Sequence, residues 1–360
     1  MKILVINTVP TDKNGITNVI INYLNAMGND VAFDYVAINN PNAFYVNFLK
    51  EKSATLYSFK RKNVLGYIWS LYKIIKQNNY DAIHVHGNSH TVVLELLAAK
   101  LAGCKVRIIH AHSTGCNSVA LHKLLAALFD SLCTNRLACG EEAGKFMFGN
   151  KPFEIINNGV DVEKFSFNNK AREALRVKMA LAETDILIGH VGYFMPVKNQ
   201  SFLVDVFAEL ARNDSRYQLV LIGDGAMRAE IEQKVASLGL LNKVTFTGNI
   251  DNVPEYLNAI DIIIMPSLYE GLPLTLVEQQ ANGLQCVVSD TITAEADKTG
   301  NLRFLSLQAP ILDWVHTVEK SHCMQNRELR SKDAIVAIEK AGYSIQREAK
   351  KLVEYYKKIC

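Results

Sequence analysis

The feature that most constrains this chain is an alternation that occurs twice. Four short runs rich in strand-forming residues, KILVIN, VAFDYVAI, AIHVH and VRIIHAH, are each followed by a stretch with helical spacing, at 18–26, 67–77, 91–102 and 120–128. Strands alternating with helices of this length are the pattern of parallel βαβ winding, with helices on both faces of a sheet. After NNGVD at 157–161 and a charged segment at 168–181 the alternation resumes. ILIGHVG, a helix at 200–211, QLVLIGDG, a helix at 226–238, KVTFTGN, a short helix near 254–259 and DIIIMPS follow in order. The expected fold class is α/β, with two doubly wound, Rossmann-like parallel-sheet domains facing a cleft and a ligand at the carboxyl ends of the strands. A length of 360 residues agrees, being more than one ordinary core supports. The expected domains are 1–168 and 169–343. A last amphipathic helix, 344–360, is expected to pack back on the first domain.

Composition removes several classes. An apolar fraction of 49% with 21% charged residues is globular and excludes a disordered chain. No apolar stretch approaches the roughly 20 residues that span a bilayer. The opening MKILVIN lacks the apolar region of a signal peptide and is expected to be a first strand in a cytoplasmic protein. Seven cysteines, at 104, 116, 133, 139, 286, 323 and 360, contain no CxxC pair, so neither a disulfide framework nor a zinc knuckle is expected. Residues 1–170 hold 18 basic and 12 acidic residues, whereas 171–360 hold 21 and 24. An acidic partner is therefore expected on the first half.

The most informative segment is SLYEGLPLTLVEQQANG, 267–283. A strand runs into a turn containing Gly271, and Pro273 stands where a first-turn helix proline is tolerated. The N–H groups of Leu272, Leu274 and Thr275, backed by the helix dipole, suit a phosphate. Glu270 precedes this helix and Glu278 lies within it, so a phosphate there has a carboxylate on each side, each able to accept from a pair of hydroxyls. Taken alone, both glutamates fit solvated surface charges as well.

EGLPLTLVE matches the E-x7-E signature, and the chain on that ground resembles the retaining nucleotide-sugar glycosyltransferases of family 4, which have the two-domain GT-B fold. Further segments are similar in family order from Gly15 to about Asp290: INNGVDVEKF, GHVGYFMPVKN, LIGDG and FTGNIDNVPEYLNAIDIIIMPS. The chain looks in particular like bacterial capsule and exopolysaccharide glycosyltransferases, in which RIIHAHS also has a counterpart. The resemblance implies that Glu278 holds the donor's ribose hydroxyls and Glu270 those of the transferred sugar. Lys198 would stabilise charge on the leaving diphosphate; without the flanking match it reads as a surface lysine in a turn. The family commonly has an arginine where this chain has Tyr193, and a hydroxyl cannot neutralise a phosphate. That departure bears on activity more than on fold. Retention is generally described as front-face substitution through an oxocarbenium-like state, with the leaving phosphate helping to deprotonate the acceptor. Catalysis would then rest on positioning and electrostatics, with no cofactor. No metal is expected, since no DxD motif is present.

In the first half, Asn14-Gly15-Ile16-Thr17 carries a single glycine and is not a dinucleotide fingerprint. In the resembled family this loop faces the donor, which implies that Gly15 lies close to the nucleotide sugar. His84 and His86, and His110 and His112, are pairs spaced by two, so both members of each face one side of a strand. Without acidic companions they are not expected to bind metal. The resemblance favours His112 as a catalytic-site residue near the reacting sugar; His84 fits a packed histidine equally well.

Between 44 and 76, Lys50, Lys52, Lys60, Arg61 and Lys62 mingle with Phe44, Tyr45, Phe48, Tyr57, Phe59, Tyr67, Trp69 and Tyr72. Basic residues beside aromatics suit an anionic membrane surface, and also an ordinary helix with a solvated face. The expected partners are a nucleotide sugar, with a UDP-sugar favoured, a glycan or lipid-linked oligosaccharide acceptor, and the inner face of the plasma membrane as a peripheral site. Nucleic acid is not expected. Two other readings stay open: a catalytically impaired homologue that binds nucleotide sugar or glycan without transfer, and a nucleotide-sugar epimerase.

Overall fold

The structure, a computed structural model, describes residues 1–12, 14–59, 63–322 and 326–360. Lys60, Arg61 and Lys62 of the basic run, and Cys323, lie outside the described residues. The chain divides into two compact units, Met1–Gly159 with Ile345–Cys360, and Val160–Ser344.

The first unit runs β1 (Lys2–Asn7), α1 (Gly15–Ala26), β2 (Ala32–Ala37), α2 (Ala43–Glu51), β3 (Leu56–Ser58), α3 (Val64–Asn78), β4 (Ala82–His86), α4 (Val93–Ala102), β5 (Val106–Ala111), α5 (Val119–Leu124), α6 (Ala126–Leu132), β6 (Asn135–Ala138), α7 (Glu141–Phe148) and β7 (Glu154–Ile155). Among the described residues these strands form one parallel sheet ordered β3-β2-β1-β4-β5-β6-β7. The order reverses direction between β1 and β4, the switch point where open α/β sheets place ligands. β1 and β4 are buried on both faces, which explains their continuous apolar runs. The helix read at 120–128 is interrupted at Leu125, the C-cap of α5 and the N-cap of α6. The C-terminal helix, Ile345–Ile359, belongs to this unit: it packs on α1 and buries Ile345, Ala349, Leu352, Val353 and Tyr356. Its one apolar stripe accounts for the amphipathic spacing read from the sequence.

The second unit runs α8 (Asn169–Lys178), β8 (Ile186–Val191), α9 (Gln200–Asn213), β9 (Tyr217–Ile222), α10 (Arg228–Ser237), β10 (Val244–Gly248), α11 (Val253–Ala259), β11 (Ile262–Met265), α12 (Leu274–Ala281), β12 (Gln285–Ser289), β13 (Leu302–Leu305), α13 (Ile311–Ser321) and α14 (Arg327–Lys340). Its parallel sheet is ordered β10-β9-β8-β11-β12-β13, with the switch between β8 and β11.

The boundary falls at 159/160 rather than at 168, because Val160, Val162 and Phe165 are buried in the apolar core that holds Leu276, Val277 and Val288. The charged segment after 168 is likewise part of the unit. Arg172 and Arg176 of α8 reach Asp261, just before β11, at 2.5 and 3.1 Å. The buried Arg327 guanidinium donates to the carbonyls of Leu257 at 2.6 Å and Ile260 at 2.5 Å. Desolvation lowers its pKa to about 9. The charged segment thus contributes paired, largely buried groups, since a buried charge must be hydrogen-bonded to be tolerated.

Candidate active site

In the second unit the predicted residues gather where β8, β9 and β11 end. The loop after β8 carries Tyr193 and Lys198, and it is held to its neighbours by backbone contacts. Phe194 N–H donates to the Asp224 carbonyl at 2.9 Å, and Met227 N–H to the Phe194 carbonyl at 3.1 Å. The glycines of LIGDG are required here. A Cβ on Gly223 would lie 2.1 Å from the Gly192 carbonyl oxygen, and one on Gly225 would lie 2.4 Å from that of Phe194. Both also adopt positive φ, 136° and 155°, which side chains rarely tolerate.

The far end of the same loop is pinned to the segment after β11. Leu268 N–H donates to the Val197 carbonyl at 2.7 Å, and the Asn199 amide donates to the Pro266 carbonyl at 3.1 Å. This brings Lys198 Nζ to 2.5 Å from Glu270 Oε1, with both side chains about one-sixth exposed. Ser267 Oγ donates to the same carboxylate oxygen at 3.3 Å. The Ser267 carbonyl accepts from Ser289 Oγ at 2.5 Å and Thr291 Oγ1 at 2.7 Å, and Glu270 bridges Ile292. The acidic turn is therefore anchored from β12.

Gly271 is exposed and Leu272 half-buried beyond that turn. Leu274 and Thr275 open α12, whose N-cap, Pro273, offers no side-chain bond, so proline stands one position before the helical first turn that the sequence suggested. The first N–H groups of a helix have no partner within it and carry the positive end of its dipole. The buried Thr275 hydroxyl has no hydrogen-bond partner among the described residues. Glu278 follows one helical turn after Leu274, about 6 Å along the axis. It is half-buried, and desolvation raises its carboxyl to about 7, with Lys164 opposing. A carboxyl shifted this far beside a phosphate-sized helix start is a functional-site signature.

His190 was not singled out by sequence reasoning. It lies in β8, fully buried, with Nδ1 at 3.0 Å from the Ile264 carbonyl and Nε2 without a partner among the described residues. That Nε2 and the Lys198 stem both face Gly192, 3.3 and 3.5 Å from where a Cβ would stand. Burial lowers the imidazole to about 4, the carbonyl opposing and Lys198 adding to the fall, so the ring is neutral. A polar residue at the end of an apolar strand, in GHVG, was the available signal.

The first unit holds the other two predicted residues. Gly15 opens α1 behind the cap Asn14, whose side chain accepts from Thr17 N–H at 3.0 Å. No described neighbour lies within 4 Å of the Cβ that Gly15 lacks. The adjacent strand end is ordered by buried Asn7, which donates to Thr17 at 3.1 Å and Tyr35 at 3.0 Å. His112 follows β5, half-buried, its backbone N–H donating to Asn88 at 2.9 Å and its Nε2 lying 2.8 Å from His86 Nδ1. Burial lowers it to about 4 against an opposing Asn158. The structure thus joins Lys198 to Glu270 directly and strings Gly271, Leu272, Leu274, Thr275 and Glu278 along one turn and helix.

Residues 14–164 match the family described as Glycosyltransferase Family 4, and residues 171–297 match Glycosyl transferases group 1. The chain is 36% identical over 311 residues to EpsF of Bacillus subtilis (strain 168), named as a glycosyltransferase, covering 81% of this chain and 80% of EpsF. It is 31% identical over 237 residues to the UDP-Gal:alpha-D-GlcNAc-diphosphoundecaprenol alpha-1,3-galactosyltransferase of Escherichia coli, covering 61% of this chain and 60% of that protein. The crystal structure of Anabaena HepE in complex with UDP matches with a TM-score of 0.81 at 17% identity, over 99% of this chain and 100% of HepE. At such identity the likeness shows the fold alone, which is GT-B.

Proposed function

Because this chain belongs to the glycosyltransferases of family 4, we propose that it moves a sugar, with retention of configuration, from a UDP-sugar to a lipid-linked or growing surface polysaccharide. The observation that carries this reading is the Lys198–Glu270 pair at 2.5 Å, set beside an uncapped helix start with Glu278 one turn on. An ammonium has three donors, so Lys198 can hold Glu270 and still give two to the diphosphate. Both side-chain contacts on Glu270 go to Oε1, leaving Oε2 to accept from hydroxyls of the transferred sugar. The α12 N–H groups at Leu274 and Thr275 take the second phosphate, and ionised Glu278 accepts from both ribose hydroxyls. Gly15, which no described neighbour crowds, leaves backbone free to approach the donor. His112, neutral and half-buried, is the first unit's candidate for contact with the reacting sugar, on the strength of the family resemblance.

The leaving diphosphate gains negative charge as the glycosidic bond lengthens, and a fixed ammonium and helix dipole need no reorganisation to stabilise it. No metal is needed at the diphosphate, so magnesium or manganese should leave the transfer rate unchanged. The galactosyltransferase relative is named for a UDP-sugar donor and a diphosphoundecaprenol-linked acceptor, and HepE was crystallised with UDP, which supports the same classes here. Peripheral docking on an anionic membrane is part of the proposal. On α3, Leu65 and Trp69 point outward at 80% and 59% exposure, with Lys73 Nζ 5.9 Å from the Trp69 ring. Tyr45 and Tyr67, read as members of the same patch, are buried in the core and take no part. No helix among the described residues is long and apolar enough to cross a membrane.

Tyr193, 56% exposed, favours the binding-only alternative, since it stands where the resembled family has a guanidinium. UDP calorimetry and transfer assays on wild type and Glu278→Ala separate the readings. Transfer by wild type with UDP affinity lost in the variant supports the proposal; full transfer by Glu278→Ala sinks it. UDP binding without transfer, in wild type and in Tyr193→Arg, leaves the binding-only reading standing.

A further inference from the structure

We infer that His84, His86 and His110 form a buried site for one divalent transition-metal ion of the zinc class, apart from the donor site. One ring nitrogen from each lies within 4.8 Å of the others, and all three residues are buried. The strands bring them together: β4 and β5 pair in parallel with His86 opposite His110, and the spacing of two puts His84 on the same face. The outer nitrogens are already committed. His84 Nδ1 lies 2.5 Å from the Tyr356 hydroxyl of the C-terminal helix, and His86 Nδ1 lies 2.8 Å from His112 Nε2. Hydrogen bonds to the outer nitrogen of a ligating histidine fix its ring and tautomer, leaving the opposite nitrogen for the ion.

Those remaining nitrogens are otherwise hard to account for. His84 Nε2 is buried without a hydrogen-bond partner among the described residues, and neither nitrogen of His110 makes a hydrogen bond of normal geometry there, the Ile156 backbone being its one polar neighbour of note, against the rule that buried polar atoms are paired. Beside them is a void of about 10 Å³ lined by the three histidines, Tyr23, Tyr356 and otherwise apolar side chains of β1, α1 and the C-terminal helix, close to the room one water-sized particle needs. The rings are stacked, 6° apart for His84 and His110 and 27° for His84 and His86. A tetrahedral ion with nitrogens at about 2.0–2.1 Å therefore draws them inward by turning the rings into the void. Three neutral imidazoles with an open fourth position are a known donor set for zinc.

The test uses the untagged full-length chain, stripped with a chelator, dialysed against zinc and measured by atomic emission, with cobalt as an optical probe. The expected result is one zinc per chain that raises the thermal midpoint, and a visible four-coordinate cobalt absorption without the near-ultraviolet band of cobalt–thiolate bonds. His110→Phe, which keeps an aromatic ring in the buried stack, should fold and lose the ion, the shift and the absorption together. Tyr356→Phe should weaken binding by about tenfold or more through the lost outer bond. Stoichiometry in wild type no higher than in His110→Phe overturns the site. So does a thiolate band in wild type. Should His110→Phe not fold, wild-type protein that takes up no zinc overturns the site by itself.

Discussion

The carboxyl edges of the two sheets share a topology and differ in electrostatics. In the second unit the edge presents an ammonium, two carboxylates and a helix start, half-buried and tied down by backbone bonds through Gly223, Gly225 and Ser267. In the first unit β4, β5 and the residue after β5 carry four stacked histidines, His84, His86 and His110 buried and His112 half-buried, which are neutral when no ion is bound. One sheet arrangement can therefore build either a charged grip for a diphosphate or an uncharged surface, and the difference lies in three or four side chains at strand ends.

The largest effect expected from breaking this contrast is in Lys198→Ala, which removes the fixed cation. Turnover should fall by about 10²–10³-fold in a transfer assay, and an unchanged rate would remove the charged edge from catalysis. Glu278→Gln comes next, with donor affinity lowered about 10- to 100-fold by calorimetry as bonds to an ionised acceptor are lost. Because the Glu278 carboxyl titrates near 7, affinity for UDP in wild type should improve as pH rises through 7, and the glutamine variant should show no such slope.

The same group gives a stability prediction of opposite sign. Unfolded, the carboxyl titrates near 4.3, so the folded state keeps a proton that the unfolded chain releases. The contribution is full below about 4.3, declines as pH rises to about 7 and is flat above. Melting curves across that window should converge for wild type and Glu278→Gln at low pH and diverge by up to about 3 kcal/mol near neutrality; parallel curves would refute the burial account. His112→Ala probes the first unit: with the donor held by the second unit as proposed, turnover should drop about tenfold with UDP affinity intact. An equal loss of UDP affinity would contradict the division of labour. A change of similar size and opposite sign is expected for Tyr193→Arg, a gain of about tenfold in turnover, as a guanidinium adds charge-assisted bonds to phosphate.

Much of the second unit's site is legible in sequence because it is local. Glu270, Gly271, Leu272, Leu274, Thr275 and Glu278 occupy one turn and one helix, so their spacing already says which lie together. Lys198 is 72 residues from Glu270, and only its flanking motif, read through a family resemblance, pointed to it. Elements that depend on partners were not read at all. β7 is two residues long and exists through pairing with Leu137 and Ala138, and α2 was merged into a basic and aromatic stretch whose Tyr45 faces the core. His190 escaped notice because one polar residue in an apolar strand is usually only packed, and its relation to Lys198 is a tertiary one.

By itself the sequence determined the two α/β halves, the phosphate-suited turn at 267–283 and the pairing of histidines on each strand. These follow from periods of 3.6 and 2 and from the backbone needs of glycine and proline, which act over a few residues. Tertiary structure alone decided that the chain divides at 159/160, that Tyr45 and Tyr67 are core, and that Lys198 touches Glu270. It also set His86 opposite His110. Strand register and loop contacts are settled by packing between segments tens of residues apart, and no local period encodes which nitrogen will face which neighbour.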